Sequence, residues 1–225
     1  LPISAGVPAI RTLIGDGINI NVTLLFSQDT YEDVANAYIA GLETLAKNGG
    51  DVRRVASVAS FFVSRIDSAV EKALDKKIAA ANDPDEKAAL ESLKGKVAIA
   101  NAKLAYRRYK RIFNGRFEGL RAKGAREQRL LWASTGVKNK AYPDTLYVSE
   151  LIGPNTVNTV PPATLDAFRD HGKVRASLEE NVQEAERILD KLAKAGISGI
   201  AGNFIGLVAS KRRLFALPGM IAAFK

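Results

Sequence analysis

Hydrophobic positions along the chain fall into two spacings, short β-branched runs and longer stretches in which apolar residues recur every three or four positions. Residues 18–26 are short, β-branched and apolar, with Gly17 before them and Ser27 after, and this predicts a buried strand. From 30 to 47 the spacing turns helical. Val34, Tyr38, Leu42 and Leu45 share a face, Thr30 and Asp33 sit as in a capping box, and Gly49-Gly50 ends the run. A second strand is predicted at 55–66, followed by a helical region over about 68–113 that breaks near Asn82-Asp83-Pro84-Asp85. Its later part keeps an apolar stripe at Leu90, Leu93, Val97, Ala100 and Leu104. A third strand at 128–134, a short helix at 145–151 and a fourth strand at 155–160 come next, and Pro161-Pro162 stops the last. Helices are predicted at 163–170 and 177–195. Strands buried on both faces and separated by helices predict an α/β fold with a parallel sheet, in one domain spanning 1–225.

Composition narrows the function. With 225 residues and 47% hydrophobic content the chain can bury a sizeable core. There is no cysteine, which excludes disulfides and thiolate chemistry. The only histidine, His171, lies in the polar stretch Arg169-Asp170-His171-Gly172-Lys173 and reads as a solvated loop residue. Neither a histidine triad nor a multi-histidine metal site can be built. The net charge of +9 raises nucleic acid as a partner, but cations and acids are interspersed through most of the chain. The densest run, Arg107-Arg108-Tyr109-Lys110-Arg111, falls inside a helical pattern and reads as a solvated face. A basic balance suits small anionic substrates equally well. No run of 18 apolar residues occurs, so no membrane span is predicted. The start, Leu1-Pro2-Ile3-Ser4, reads as the interior of a longer protein.

Chemistry in parallel α/β architectures collects at the carboxyl ends of strands. The first predicted strand carries Asn21, Thr23 and Ser27, and the second Ser60, Ser64 and Arg65. The third carries Ser134, Thr135 and Lys138, and the fourth Asn155, Thr156, Asn158 and Thr159. Hydroxyls, amides and two cations converging on one face would make a pocket for a polyhydroxylated anion. Arg65 could grip a phosphate with its planar fork, and Lys138 would act as a point charge. Taken singly, each Asn, Ser or Thr reads as readily as a cap for the helix that follows. No glycine-rich phosphate loop follows a strand.

Several blocks together resemble the transaldolase family. They are Gly6-Val7-Pro8-Ala9-Ile10, the run from Gly17 to Ser27, Val58-Ala59-Ser60-Phe61-Phe62-Val63-Ser64-Arg65-Ile66-Asp67, and Leu131-Trp132-Ala133-Ser134-Thr135-Gly136-Val137-Lys138-Asn139. Tyr142-Pro143-Asp144-Thr145-Leu146-Tyr147 and Asn155-Thr156-Val157-Asn158-Thr159-Val160-Pro161 complete the set, which covers about residues 6 to 195. The form is similar to the bacterial type found alone or fused to glucose-6-phosphate isomerase.

The resemblance implies a (β/α)8 TIM barrel of which this chain supplies roughly strands 5 to 8. It implies a cytoplasmic enzyme of the non-oxidative pentose phosphate pathway, without metal or organic cofactor, that acts on phosphorylated sugars and engages neither nucleic acid nor membrane. The reaction it implies passes a dihydroxyacetone unit from sedoheptulose 7-phosphate to glyceraldehyde 3-phosphate through a lysine Schiff base. Carried over, Asn21 and Thr23 match the catalytic pair that holds water and substrate. Ser60 matches a contact to the bound sugar, and Arg65 and Ser134 match phosphate contacts. Lys138 is the candidate second phosphate cation, because many relatives have an Arg where this chain has Gly136. The family's lysine lies a few residues before the Gly-x-Pro-Ala-Ile block; none precedes Gly6 here. The segment 197–225 matches no family pattern. Two other readings stand beside this one, a small Schiff-base aldolase of the same superfamily and a non-catalytic nucleic-acid-binding basic fragment.

Overall fold

The computed structural model describes residues 6–197, so the Leu1–Ser4 start and, beyond Ile197, the atypical tail lie outside the described residues. Within them a four-stranded sheet runs in the order β1-β2-β3-β4, and every pairing is parallel. The strands are β1 (Ile20–Leu25), β2 (Ser57–Phe62), β3 (Arg129–Ala133) and β4 (Thr156–Asn158). All four fall inside their predicted spans and are shorter. The 55–66 run is cut because its last residues already belong to the next helix, which begins at Ser64.

The connecting helices are α1 (Gly6–Gly15), α2 (Gln28–Lys47), α3 (Ser64–Ala80), α4 (Pro84–Glu91), α5 (Val97–Phe113), α6 (Glu118–Arg121), α7 (Leu146–Glu150), α8 (Pro162–His171) and α9 (Val182–Lys194). Helix α1 is absent from the predicted pattern. Its apolar content is concentrated in one short stripe, and Pro8 is tolerated because it sits in the first turn. It packs on α2 at Gly41, where a Cβ would come within 2.7 Å of Ile14. The predicted 68–113 region divides into three helices. Asp83 caps α4 and Pro84 takes its first position, while Gly95, with φ of +71°, turns the chain into α5.

Alternation along the strands sorts the two faces of the sheet. Val22, Ala59, Phe61, Leu130 and Trp132 are buried in one core with helical residues such as Tyr38, Leu42, Leu74 and Phe113. The alternate positions Asn21, Thr23 and Arg129 are exposed, and Val58 and Phe62 are half-buried. The regular alternation breaks once. Between Val22 and Leu25 the pairing of β1 with β2 slips, and Leu24 takes a φ of +63°. This bulge returns Leu25 to the buried side opposite Phe61 and leaves Thr23 on the open face. A left-handed conformation at a non-glycine residue costs about 1–2 kcal/mol, so the displacement of Thr23 is bought with backbone strain beside a predicted site residue.

One buried carboxylate ties three helices together. Helix α5 has no capping side chain of its own, and its Ala98 N–H donates instead to Asp67 of α3 at 2.8 Å. The Tyr147 hydroxyl of α7 donates to the other Asp67 oxygen at 2.8 Å. A helix amino terminus favours an anion here. Burial nonetheless dominates and lifts the Asp67 carboxyl from 3.8 to about 6, against the lowering effect of the two donors. The folded state thus holds the proton more tightly than the unfolded chain. The stability this group confers is full below the unfolded value of 3.8 and is lost as pH rises through about 6. Asp67→Asn keeps an acceptor and removes the titration. Thermal melts should show the advantage of wild type over Asp67→Asn shrinking between about pH 4 and about pH 6.5, then holding level. A difference independent of pH would refute the buried-charge account.

Candidate functional site

The β2–β3 ladder does not stop where the strands do. Val63 N–H donates to the Ala133 carbonyl at 3.0 Å and Ser64 N–H to the Ser134 carbonyl at 2.9 Å. The two hydroxyls Ser64 Oγ and Ser134 Oγ share a further hydrogen bond of 2.9 Å. Ser134 has a φ of +58°, the local turn that brings its side chain back toward α3. Arg65 is the next residue of that helix. It is exposed, and its guanidinium carbon lies 4.8 Å from the centre of the Phe62 ring, which itself leans on Phe26 at 5.3 Å. A cation–π contact of this kind holds the guanidinium over the ring without using its N–H donors. Among the described residues Arg65 has no ion-pair partner. Asp67, two positions on, is buried and occupied by Ala98 and Tyr147 instead.

Lys138 is exposed and folds back, with its Nζ 3.9 Å from where a Cβ on Gly136 would stand. That same Cβ would come within 3.3 Å of Pro161 Cγ, so little room exists at 136 for a longer side chain. Midway along the open face, Ser60 Oγ donates to Asn21 Oδ1 at 2.7 Å, and Thr23 stands exposed on the same face. The predicted residues therefore form two groups. Arg65, Ser134 and Lys138 sit at the carboxyl ends of β2 and β3, and Asn21, Ser60 and Thr23 sit within β1 and β2. Among the described residues no hydrogen bond joins the groups.

The fourth strand departs from expectation. Thr156 and Asn158 stand in register with Leu130 and Trp132 of the helix-covered side, and Val157 is the residue in register with Leu131. Asn158 Oδ1 accepts from the buried Thr135 hydroxyl at 2.9 Å, a tie between the ends of β3 and β4. Asn155 precedes β4 and lies at the other end of the sheet. There, together with Asn21, Arg126 and Arg129, it lines a cavity of about 780 Å3. Arg129 was not among the expected residues, although its place two before Leu131 in an alternating run puts it on the open face.

The charge run on α5 is balanced by its surroundings. Arg107 pairs with Glu186, Arg108 with Asp29 and Glu32, Lys110 with Glu179, and Arg111 with Glu32. Cations engaged this way do not offer a free basic stripe to a polyanion. Lys103 is the buried lysine of the described residues, and its Nζ donates to the Glu180 carbonyl at 3.0 Å, away from the open face.

A parallel sheet with helices against one face and its polar side chains gathered on strands and at their carboxyl ends defines the class as an α/β fold with a candidate site at the strand ends. Comparison with known proteins makes the class specific. Residues 2–201 match the family described as Transaldolase/Fructose-6-phosphate aldolase. Over 194 residues the chain is 53% identical to the transaldolase of Trichodesmium erythraeum (strain IMS101), which covers 86% of this chain and 51% of that protein. It is 50% identical over 196 residues to transaldolase 2 of Nostoc sp. (strain PCC 7120), covering 86% and 51%. Against the transaldolase of Mycolicibacterium paratuberculosis it is 47% identical over 196 residues, covering 86% and 50%. The chain belongs to the transaldolase/fructose-6-phosphate aldolase family. It spans about half the length of the curated relatives it matches.

His171 ends α8 and is less idle than a solvated loop residue. Its Nε2 lies 2.9 Å from Asp144 and its Nδ1 3.0 Å from Asp170. Asp144 first, then Asp170, raise its pKa above the ordinary 6.5. The tie of α8 to the loop after β3 is therefore full below 6.5 and fades as pH rises through the raised folded value. Proton NMR can follow this directly, since the chain has one histidine. The ring should titrate above 6.5 in wild type and closer to it in Asp144→Asn. An unchanged titration in that variant would show the contact absent in solution.

Proposed function

We propose that the chain is the carboxyl-terminal part of a (β/α)8-barrel transaldolase, supplying roughly strands 5 to 8, and that the whole protein transfers a dihydroxyacetone unit between sugar phosphates in the cytoplasm. Family membership and three relatives named as transaldolases support this reading. So do the two sheet edges, at β1 and β4, that a barrel would join to further strands. The observation that carries it is the cation at the end of β2. Arg65 is exposed, stacked on Phe62 and without an acidic partner among the described residues, directly beside the Ser64–Ser134 pair. A phosphate placed there meets a planar fork and two hydroxyls, with Lys138, whose Nζ lies beside Gly136, as a second positive charge.

The described strands carry no lysine, so in this reading the amine comes from a strand outside them. It attacks the ketose carbonyl, and water leaves as the imine forms. The C3–C4 bond then breaks, its electrons pass into the iminium to give an enamine, and the aldose departs. The enamine adds to the acceptor aldehyde, and water releases the new ketose. Asn21 and Thr23 hold the water that moves the protons, and Ser60 orients both Asn21 and the sugar. Phosphate binding at Arg65 and Ser134 holds the reacting carbons in line.

Two outcomes test the proposal on the full protein. Borohydride reduction with fructose 6-phosphate, followed by peptide mapping, should place the sugar on a lysine outside residues 6–197. An adduct on a lysine of those residues, formed at the catalytic rate, would defeat the assignment. Arg65→Ala should raise KM for fructose 6-phosphate by about tenfold or more, the size expected for losing a charge-assisted contact. It should leave the melting temperature within a few degrees, because Arg65 is exposed and makes no ion pair among the described residues. Unaltered KM would remove Arg65 from the phosphate site.

A further inference from the structure

The loop after β3, from Ser134 to Thr145, carries Ser134 and Lys138 and would be the least fixed part of the site if only Ser134 held it. Beside the Ser64–Ser134, Thr135–Asn158 and Asp144–His171 contacts, it has a further attachment, through one tyrosine. The Tyr142 hydroxyl donates to Glu71 Oε1 of α3. Asn139, adjacent to Lys138, places its amide nitrogen 3.5 Å from Glu71 Oε2. Asn139 also shapes the turn that delivers the tyrosine, accepting from Ala141 N–H at 3.0 Å through its side chain and from Tyr142 N–H at 3.1 Å through its carbonyl. The Tyr142 ring lies flat on Gly95, where a Cβ would come within 2.9 Å of its Cζ. Glycine is thus required at 95 twice over, for its φ of +71° and for the bare surface the ring occupies.

Glu71 and Arg65 are on the same helix, fewer than two turns apart. We propose that Tyr142 and Glu71 are positioning residues that set the spacing between Arg65 and Lys138, and so determine selectivity for a phosphorylated over an unphosphorylated sugar. The chain of contacts is short. Arg65 is held by α3, Glu71 of α3 holds Tyr142 and Asn139, and Asn139 is bonded directly to Lys138. An anion that bridges two cations is sensitive to their separation, because charge-assisted contacts are short and a displaced cation no longer reaches its oxygen. Glu71 touches no substrate in this arrangement. It acts through the loop, and its carboxylate accepts the phenol, whose pKa is raised by burial and by Glu71 itself, so the tyrosine keeps its proton and remains a donor.

The inference rests on Arg65 and Lys138 binding phosphate, and the experiment separates the two claims. In the full protein, wild type, Tyr142→Phe, Glu71→Ala and Glu71→Gln are compared for inhibition by inorganic phosphate, for kcat and KM with fructose 6-phosphate, and for kcat/KM with unphosphorylated fructose. Tyr142→Phe and Glu71→Ala should each raise KM for fructose 6-phosphate and the inhibition constant for phosphate by about three- to tenfold, with kcat and activity on fructose held within about twofold. Glu71→Gln keeps the acceptor for the tyrosine and should remain close to wild type. The double variant should be no worse than Glu71→Ala alone, because that change already removes the contact that Tyr142→Phe removes. A loss of equal size on fructose and on fructose 6-phosphate would show a merely structural role and overturn the inference. So would phosphate inhibition unchanged in Tyr142→Phe, the variant that removes one hydroxyl and keeps the ring on Gly95 should Glu71→Ala fail to fold. Wild type insensitive to phosphate and indifferent to the phosphoryl group would overturn the phosphate site first, and this inference with it.

Discussion

The site depends on a parallel ladder that outlasts its strands. Hydrogen bonding between β2 and β3 continues through Val63 and Ser64, so the first turn of α3 is pinned to the far end of β3 where the helix begins. Two backbone bonds and one hydroxyl pair fix Arg65 relative to Ser134 with no loop of uncertain length between them. Everything behind that point reinforces it. Asp67 anchors the same turn to the amino end of α5 and to α7, and the Phe26–Phe62 pair gives the guanidinium a surface to rest on. A charged group held this way loses little freedom when an anion arrives, which is how preorganisation turns a contact into affinity.

The positive charge of the chain acquires a different meaning once its partners are known. The cations of α5 are matched with acids on α2, α9 and the turn before α9, and exposed pairs of this kind contribute little to stability, about 0–1 kcal/mol each. What they do is remove those cations from competition for an anion. Of the exposed cations that make no ion pair among the described residues, Arg65 and Lys138 stand at the carboxyl end of the sheet and Arg129 on its open face.

Much of this was legible in the sequence, for identifiable reasons. Strands buried on one side by Val, Ile, Leu and aromatic residues announce themselves, and α2 and α5 carry long apolar stripes. Hydroxyl and amide residues after the first three strands pointed to where the polar groups gather. The misses come from geometry that depends on pairing partners. Asn158 was grouped with the site because it is polar and late in a strand, yet register with Trp132 sets it on the covered side. The bulge at Leu24 left no trace, since leucine is a poor candidate for a positive φ. Helix α1 is short and has one stripe. The Tyr142–Glu71 contact joins positions 71 residues apart, and nothing local in either segment predicts it.

Trp132 is the only tryptophan of the chain, fully buried, edge-on to Phe61 at 6.2 Å and in register between β2 and β4. With no exposed surface, the ring is shielded from bulk water. This chain therefore carries its one tryptophan at the centre of its sheet. Excited to the red of tyrosine absorption, the indole should emit blue-shifted while the strands hold together and report on that centre, apart from the six tyrosines of this chain.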